Sequence, residues 1–534
     1  MSARDITFGP GKHARLLPGA DAAAAPELVR ELGLAPPADG RPVIVVCGGA
    51  DTLTGQALDR TRTVIEQAVA PAAGRLGAVV VDGGTAAGVM ALTGAARASQ
   101  PDNVPVLVGV APDGLVSYPD GPAAGDSLAP LDASHSHFIL ASTDRWGGET
   151  RLLMAVAAAL AGPGPVAVVV AGGGEVARSE IARARERAWP VLAIAGTGGA
   201  ADGSAGVRRV SDAAACAREL SWELHDDQAL KDAWRLFASY DHQAKRLRAT
   251  FTRLLALTLA LAVLATVLAA TYTQVGGSAL HWAAVVVPAL SSVLILVSGR
   301  RSFGQRWVLM RGAAESVKAE IYLHRAAPAM RRVGSQRKLL NRLALIERQL
   351  MLTAASHEPL PAYRGQLPPL TGPLTAESGP VDDGLGPLNP GLYLRTRLED
   401  QIGYYERRAR RLSRWRNALY LLAFLAGAAG TILAAAHREV WVSVTASMSA
   451  AALAYLGYLQ FDGTIVGYNQ TVAKLSGLVR EWRALRPSQR SAKAFERLVT
   501  QSEQALATEV AGWVKHQADA LADTAQPEGS LPGC

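Results

Sequence analysis

Four long uncharged apolar runs restrict the fold of this chain more than any other feature. The first, Leu254 to Tyr272, reads LLALTLALAVLATVLAATY, and after TQVGGS a second extends from Ala279 to Ser298. A later pair covers Ala418 to Ala436 and Val440 to Leu459, separated only by His437-Arg438-Glu439. About 20 apolar residues in a helix cross the hydrocarbon core of a bilayer, where every backbone polar group must be satisfied within the segment. The expectation is four transmembrane helices in two hairpins, with spans 254–272, 279–298, 418–436 and 440–459.

The flanks of these runs set the orientation. Lys245, Arg246, Arg248 and Arg253 precede the first run, and Arg300, Arg301 and Arg306 follow the second. Arg407, Arg408, Arg410, Arg411, Arg414 and Arg416 precede the third, while Arg438 is the only Lys or Arg at either hairpin tip. Lys and Arg accumulate on the cytoplasmic side, so a multi-pass protein of the inner (plasma) membrane with both termini cytoplasmic is expected. The formal charge of +8 is thereby assigned to topology and to the lipid bilayer as partner. No nucleic-acid partner is expected, because no basic stretch with interleaved aromatics lies outside the flanks.

A chain of 534 residues predicts more than one domain. Cys47, Cys216 and Cys534 are scattered, which points away from disulfides and from a metal site. Residues 1–40, rich in Ala, Pro and Gly, are read as an N-terminal extension with a poorly ordered start. From 41 to 222, short β-branched runs alternate with helical segments. Six strands are expected, at Val43 to Cys47, Ala78 to Val81, Val106 to Val110, Phe138 to Ala141, Val166 to Val170 and Val191 to Ala195. This alternation predicts an α/β, Rossmann-like, doubly wound parallel sheet.

The rest is expected to be an all-α membrane domain: a first two-span module over 226–352, a Pro/Gly-rich linker over 353–390, and a second module over 391–524. Beside the spans, apolar residues step by three and four. The series Trp307, Met310, Ala314, Val317 and Ile321 is matched by Leu398, Ile402, Tyr405 and Ala409, and by Ile465, Tyr468, Val472, Leu475, Val479 and Trp482. Such seams predict that the spans continue into a packed cytoplasmic helical bundle. The similar order of acidic start, tyrosine, basic segment and span before each hairpin suggests a duplication.

The expected strands end in glycine. Cys47-Gly48-Gly49-Ala50, Asp82-Gly83-Gly84-Thr85, Gly172-Gly173-Gly174-Glu175 and Gly196-Thr197-Gly198-Gly199 are strand-to-helix turns in which a phosphate could approach unpaired amides at a helix N-terminus. Any one of them is accounted for by tight-turn geometry alone. Four on one sheet edge point to a nucleotide crevice. No GKS or GKT follows any of them, and no G-x-G-x-x-G stands after the first strand, so neither a Walker loop nor hydride transfer is supported. Glu149, Glu175 and Asp202 are candidates for contacts with ribose or base, or simply helix N-terminal charges.

In order, GGA at 48–50, DGGTAAGVM at 82–90, HFILASTDRWGGET at 137–150, AGGGEVARSEI at 171–181 and WPVLAIAGTGGAAD at 189–202 resemble the SLOG domain of the type shared by prokaryotic proteins and TRPM channels. The resemblance implies a crevice that senses or processes a nucleotide, NAD- or ADP-ribose-like or a signalling nucleotide. It adds Gly147 to the candidate ligand residues. Gly199 stands where the family pattern has arginine. The two hairpins resemble SLATT two-span effectors, which accompany SLOG sensors in prokaryotic conflict systems. The combined resemblance implies a ligand-gated pore rather than an enzyme, formed by a homo-oligomer because one subunit has too few helices to enclose a wide pore. The alternative is a membrane-anchored nucleotide-processing hydrolase; no residue is assigned as catalytic. Ser443 and Ser447 share a face of the fourth span and are candidates to line the pore.

Overall fold

The computed structural model describes residues 2–49, 53–99, 105–122, 128–327, 332–353, 363–365, 367 and 382–523. The chain divides into two compact units, Met1–Gln228 with Leu370–Leu385, and Ala229–Pro369 with Gly386–Cys534.

In the first unit the strands are β1 (Arg4–Gly9), β2 (Lys12–Ala20), β3 (Val43–Gly48), β4 (Val79–Asp82), β5 (Leu107–Pro112), β6 (Val116–Ser117), β7 (Ala129–Pro130), β8 (His137–Ala141), β9 (Val166–Ala171), β10 (Val191–Ile194) and β11 (Arg208–Val210). The helices are α1 (Ala25–Glu31), α2 (Gly55–Val64), α3 (Ala70–Leu76), α4 (Gly88–Ala98), α5 (Thr150–Ala161), α6 (Glu175–Glu186), α7 (Gly199–Gly203) and α8 (Ala213–Leu224). Among the described residues nine strands form one sheet in the order β1-β2-β8-β5-β4-β3-β9-β10-β11. All its pairings are parallel except β1 with β2.

Because successive side chains on a strand point to opposite faces, each β-branched run feeds two cores. Val43, Val45 and Cys47 pack with α1, α5 and α6, and Ile44 and Val46 with α2, α3, α4 and α8. Strands buried on both faces favour the continuous Val/Ile composition seen here. All six expected strands form. The chain winds outward from β3 through β4, β5 and β8, then returns to the other side of β3 as β9, β10 and β11. The sheet therefore has its topological switch between β3 and β9, where ligands bind in open α/β sheets.

The poorly ordered start expected within residues 1–40 is corrected. β1 and β2 form a hairpin, and β2 extends the sheet by pairing in parallel with β8. Ile6, Ala14 and Leu16 point inward onto Phe138 and Leu140 while Lys12 and His13 are exposed. That alternation favours a half-buried hairpin, with β1 at the sheet edge, despite the Gly- and Pro-rich composition.

The second unit is helical: α9 (Gln228–Val275), α10 (Ser278–Arg301), α11 (Phe303–Ala326), α12 (Arg332–Met351), α13 (Pro390–Tyr393), α14 (Asp400–Ala435), α15 (Glu439–Tyr458), α16 (Phe461–Ala484) and α17 (Ala492–Asp523). Among the described residues four helical segments are long and apolar enough to cross a membrane. At 1.5 Å per residue the 48 residues of α9 reach about 72 Å, more than twice the hydrocarbon thickness, so the helix continues well past its span. The long helices α11, α14 and α16 carry the expected seams. Trp307, Met310, Ala314, Val317 and Ile321 are buried, as are Leu398, Tyr405, Leu475, Val479 and Trp482. Most of the Pro/Gly-rich 353–390 segment lies outside the described residues.

Candidate functional site: the crevice at the β3/β9 switch

Three turns meet at the carboxyl end of β3 and β9. Gly48 lies so close to β9 that a Cβ on it would stand 2.4 Å from the Ala171 carbonyl oxygen. Gly172 and Gly173 have φ of +59° and +87°, the left-handed region where glycine carries no steric cost. A Cβ on Gly173 would collide with that of Ala177, so this glycine lets the chain enter α6 directly. Gly174 precedes α6 with a φ of −101°, is exposed, and has open space where a side chain would be. No side chain caps the first amides of α6 or of α5. Each terminus thus presents the positive end of a helix dipole, the Thr150 amide of α5 donating to the Gly147 carbonyl at 3.4 Å.

The loop before α5 reaches this point as well, because a Cβ on Gly147 would lie 3.2 Å from Val176 in the first turn of α6. Glu149, next in that loop, is buried, and its Oε2 has no hydrogen-bond partner. The Oγ1 of the adjacent Thr150 is buried and unpartnered too. Burial pushes the Glu149 carboxyl up, against the lowering effect of backbone hydrogen bonds at Glu149 and Gly147. Unsatisfied buried polar atoms are costly and rare in folded proteins, and they mark places where a further partner belongs. Trp146 stands half-exposed on the same loop.

The other glycine turns are closed by the chain itself. The Gly84 amide donates to Asp82 at 2.8 Å, and a Cβ on Gly84 would stand 2.8 Å from Gly109 Cα, so this residue serves strand packing. Gly83 faces the side chain of Met90. Thr85 is buried and forms a bridge with Leu131. The Gly49 amide donates to the Ala171 carbonyl at 3.1 Å. Thr197 receives the Gly172 amide at 2.9 Å and donates to the Ile194 carbonyl at 2.7 Å. The Asp202 carboxylate accepts the amides of Gly196 and Gly198 at 3.0 and 2.7 Å, which also holds it below the usual carboxylate range. Glu175 is exposed and ion-paired to Arg178 at 3.0 Å. Ala50 lies outside the described residues.

Beneath the crevice is a layer that sequence reasoning missed. Glu180 on α6 is buried against Cys47 of β3; burial, with the negative charges of Glu149 and Asp82, raises its carboxyl to about 7 although the Cys47 hydrogen bond opposes this. Its signal is a charged residue on the helix face that buries Ala177, Ile181 and Ala184. At the end of β4, buried Asp82 accepts from the Gly84 amide and the Thr93 hydroxyl and contacts His135 Nε2 at 2.8 Å. His135 Nδ1 lies 3.1 Å from Asp132. Burial alone would lower the His135 imidazole, yet the two carboxylates lift it to about 9.

Residues 41–230 match the family described as SLOG in TRPM, prokaryote, and residues 393–513 match SMODS and SLOG-associating 2TM effector domain 1. The chain joins a SLOG domain to a SLATT two-span effector. Its first hairpin, over 237–328, matches a different family, described as a protein of unknown function (DUF4231). No curated protein matches the chain. Among similar solved structures, an X-ray structure of a Northeast Structural Genomics Consortium target is 17% identical, covering 34% of this chain and 99% of its own, with a TM-score of 0.25. The molybdenum cofactor binding protein from the phototrophic bacterium Rippkaea orientalis is 16% identical, covering 34% of this chain and 96% of its own, also with a TM-score of 0.25. The SLOG–SLATT pairing, together with four candidate spans, fits a membrane effector of defence systems.

In the spans, Ser447 meets Thr266 of α9, their hydroxyls 2.8 Å apart, and Ser449 donates to the Ala423 carbonyl of α14 at 3.2 Å. Ser443 donates to the Val440 carbonyl within its own helix at 2.7 Å.

Proposed function

We propose that this protein is an oligomeric, ligand-gated membrane pore whose SLOG crevice senses a nucleotide, with both termini on the cytoplasmic side of the inner membrane. One observation carries the sensor reading. The uncapped N-termini of α5 and α6 meet at the sheet's switch point around a buried, unpartnered Glu149 oxygen and Thr150 hydroxyl. Backbone donors at two dipole ends suit a pyrophosphate. The spare Glu149 oxygen suits a ribose hydroxyl, and exposed Trp146 offers a stacking face for a base. A nucleotide that binds one arrangement of these turns better than another shifts the protein's conformational equilibrium by that difference in affinity.

The test exploits Gly174, where a side chain meets nothing. Gly174→Asp places a carboxylate at the N-cap of α6, a substitution that adds a few tenths of a kcal/mol to helix stability while repelling phosphate. Vesicles containing wild-type protein are expected to leak ions on addition of NAD, ADP-ribose or a cyclic oligonucleotide. The Gly174→Asp protein is expected to insert and melt normally but to stay closed. A variant that gates like wild type removes the sensor reading, and hydrolysis of the added nucleotide would favour the anchored-hydrolase alternative.

A further inference from the structure

A cavity of about 1020 Å³ in the helical unit is lined by residues of α9, α11, α14, α15, α16 and α17. Its two ends differ in chemistry. Leu259, Val263, Leu422, Met448 and Ala452 line one end, within the candidate spans. Lys245, Arg248, Arg311, Arg408 and Arg411 line the other, with the phenols of Tyr404 and Tyr468.

The carboxylates at the basic end do not neutralise it. Asp241 is held by Lys245 at 2.6 Å and by Arg311 at 3.7 Å, and Arg311 is paired to Glu315 at 2.6 Å. The Glu509 carboxylate accepts the Tyr405 hydroxyl at 3.1 Å. Arg248 lies over the Trp307 ring, 5.5 Å from its centroid. Among the described residues Arg248, Arg408 and Arg411 form no ion pair. Arg411 also belongs to an adjoining basic recess with Arg407, Arg410 and Arg414. Three guanidiniums gathered at one mouth, none of them ion-paired, repel one another until an anion joins them.

We propose that this cavity binds one anionic phospholipid, its phosphate held by Arg248, Arg408 and Arg411 and an acyl chain laid between α9, α14 and α15. The proposal rests on reading those helices as membrane spans. Arg248 and Leu259 stand about 16 Å apart along α9, the distance from a headgroup into the acyl region. The volume is at the upper end for ligand pockets, and basic pockets between spans are suited to anionic headgroups. A soluble anion would use the guanidiniums and leave the apolar end empty.

The full chain, extracted in neutral detergent, would be titrated with short-chain phosphatidylglycerol, with phosphatidylcholine of equal chain length, and with glycerol 3-phosphate, following Tm. Phosphatidylglycerol alone is expected to raise Tm. An Arg248→Gln/Arg408→Gln double variant is expected to bind it at least tenfold more weakly, ~1.4 kcal/mol. An equal shift with phosphatidylcholine, an equal shift with glycerol 3-phosphate, or unchanged affinity in the double variant would each overturn the proposal. Should the double variant fold poorly, native mass spectrometry of the wild-type protein decides: a retained anionic phospholipid supports the site, and a zwitterionic one or none refutes it. Whether the chain spans the bilayer is read separately, from its resistance to alkaline extraction of membranes.

Discussion

At the scale of single residues, the SLOG crevice is built on ionisable groups that the surrounding core holds away from water. Glu180 shows the consequence for pH. Its folded-state carboxyl titrates at about 7, above the ordinary 4.5, chiefly through burial. A carboxyl raised in the folded state contributes stability that is whole below about 4.5 and is lost as pH rises through 7. Glu180→Gln should therefore flatten the dependence of Tm on pH between 5 and 7 and raise Tm at pH 8, measured by thermal melting of the full chain. A variant whose melting curve keeps the wild-type slope in that window would show that Glu180 titrates normally. His135, lifted from 6.5 to about 9 by Asp82 and Asp132 against burial, contributes stability that is whole below about 6.5 and is lost between there and about 9, a window lying mostly above that of Glu180.

At the scale of elements, the two hairpins repeat one design. Ser302 and Gln460, both at φ +47°, break the helix after the second and fourth candidate spans, and each break is followed by a helix of 24 residues. One constant sequence separation relates Ser302 to Gln460, Trp307 to Ile465, Met310 to Tyr468 and Val317 to Leu475, as an internal duplication requires. The second copy carries a buried ion pair. Arg397 donates through Nε and Nη2 to Glu503 of α17 at 2.9 and 2.6 Å, Tyr393 donates to the same carboxylate at 3.0 Å, and the guanidinium lies 4.4 Å from the Tyr322 ring centroid. Arg397→Met leaves a buried carboxylate unpaired and should cost about 3–5 kcal/mol, whereas the double variant Arg397→Met/Glu503→Leu should recover most of that loss. Denaturant melts of the two variants make the comparison; equal destabilisation would mean that the pair contributes through packing rather than charge.

At the scale of the whole molecule, the proposed pore needs more than one copy. Four spans cannot enclose a wide channel, and they expose large apolar side chains, among them Leu421, Phe424, Leu425 and Ile432 on α14 and Val293, Ile295 and Leu296 on α10. Such surfaces are covered by lipid or by neighbouring subunits. Mass photometry of detergent-solubilised protein should give a multiple of the 55.9 kDa chain. A monomer that still conducts in vesicles would place the pore within one subunit and end the oligomer reading.

The sequence by itself determined the six core strands, the four apolar spans and the seams of the long helices. Each is a periodic pattern written in neighbouring residues, and a local pattern survives without knowledge of the fold. The hairpin at the sheet edge escaped that reading, because an Ala-, Pro- and Gly-rich composition outweighed the short alternation from Lys12 to Leu16. Tertiary structure alone decided which glycine turns keep free amides. Gly84 packs on Gly109, Gly49 gives its amide to Ala171, Gly196 and Gly198 give theirs to Asp202, and among the described residues the turns around Gly147 and Gly174 stay open beside the unpartnered Glu149. It also brought Arg248 and Arg408 from different helices to one cavity mouth. Whether a donor or a charge is available depends on what else reaches it, and in a folded chain that is settled by segments far away in sequence.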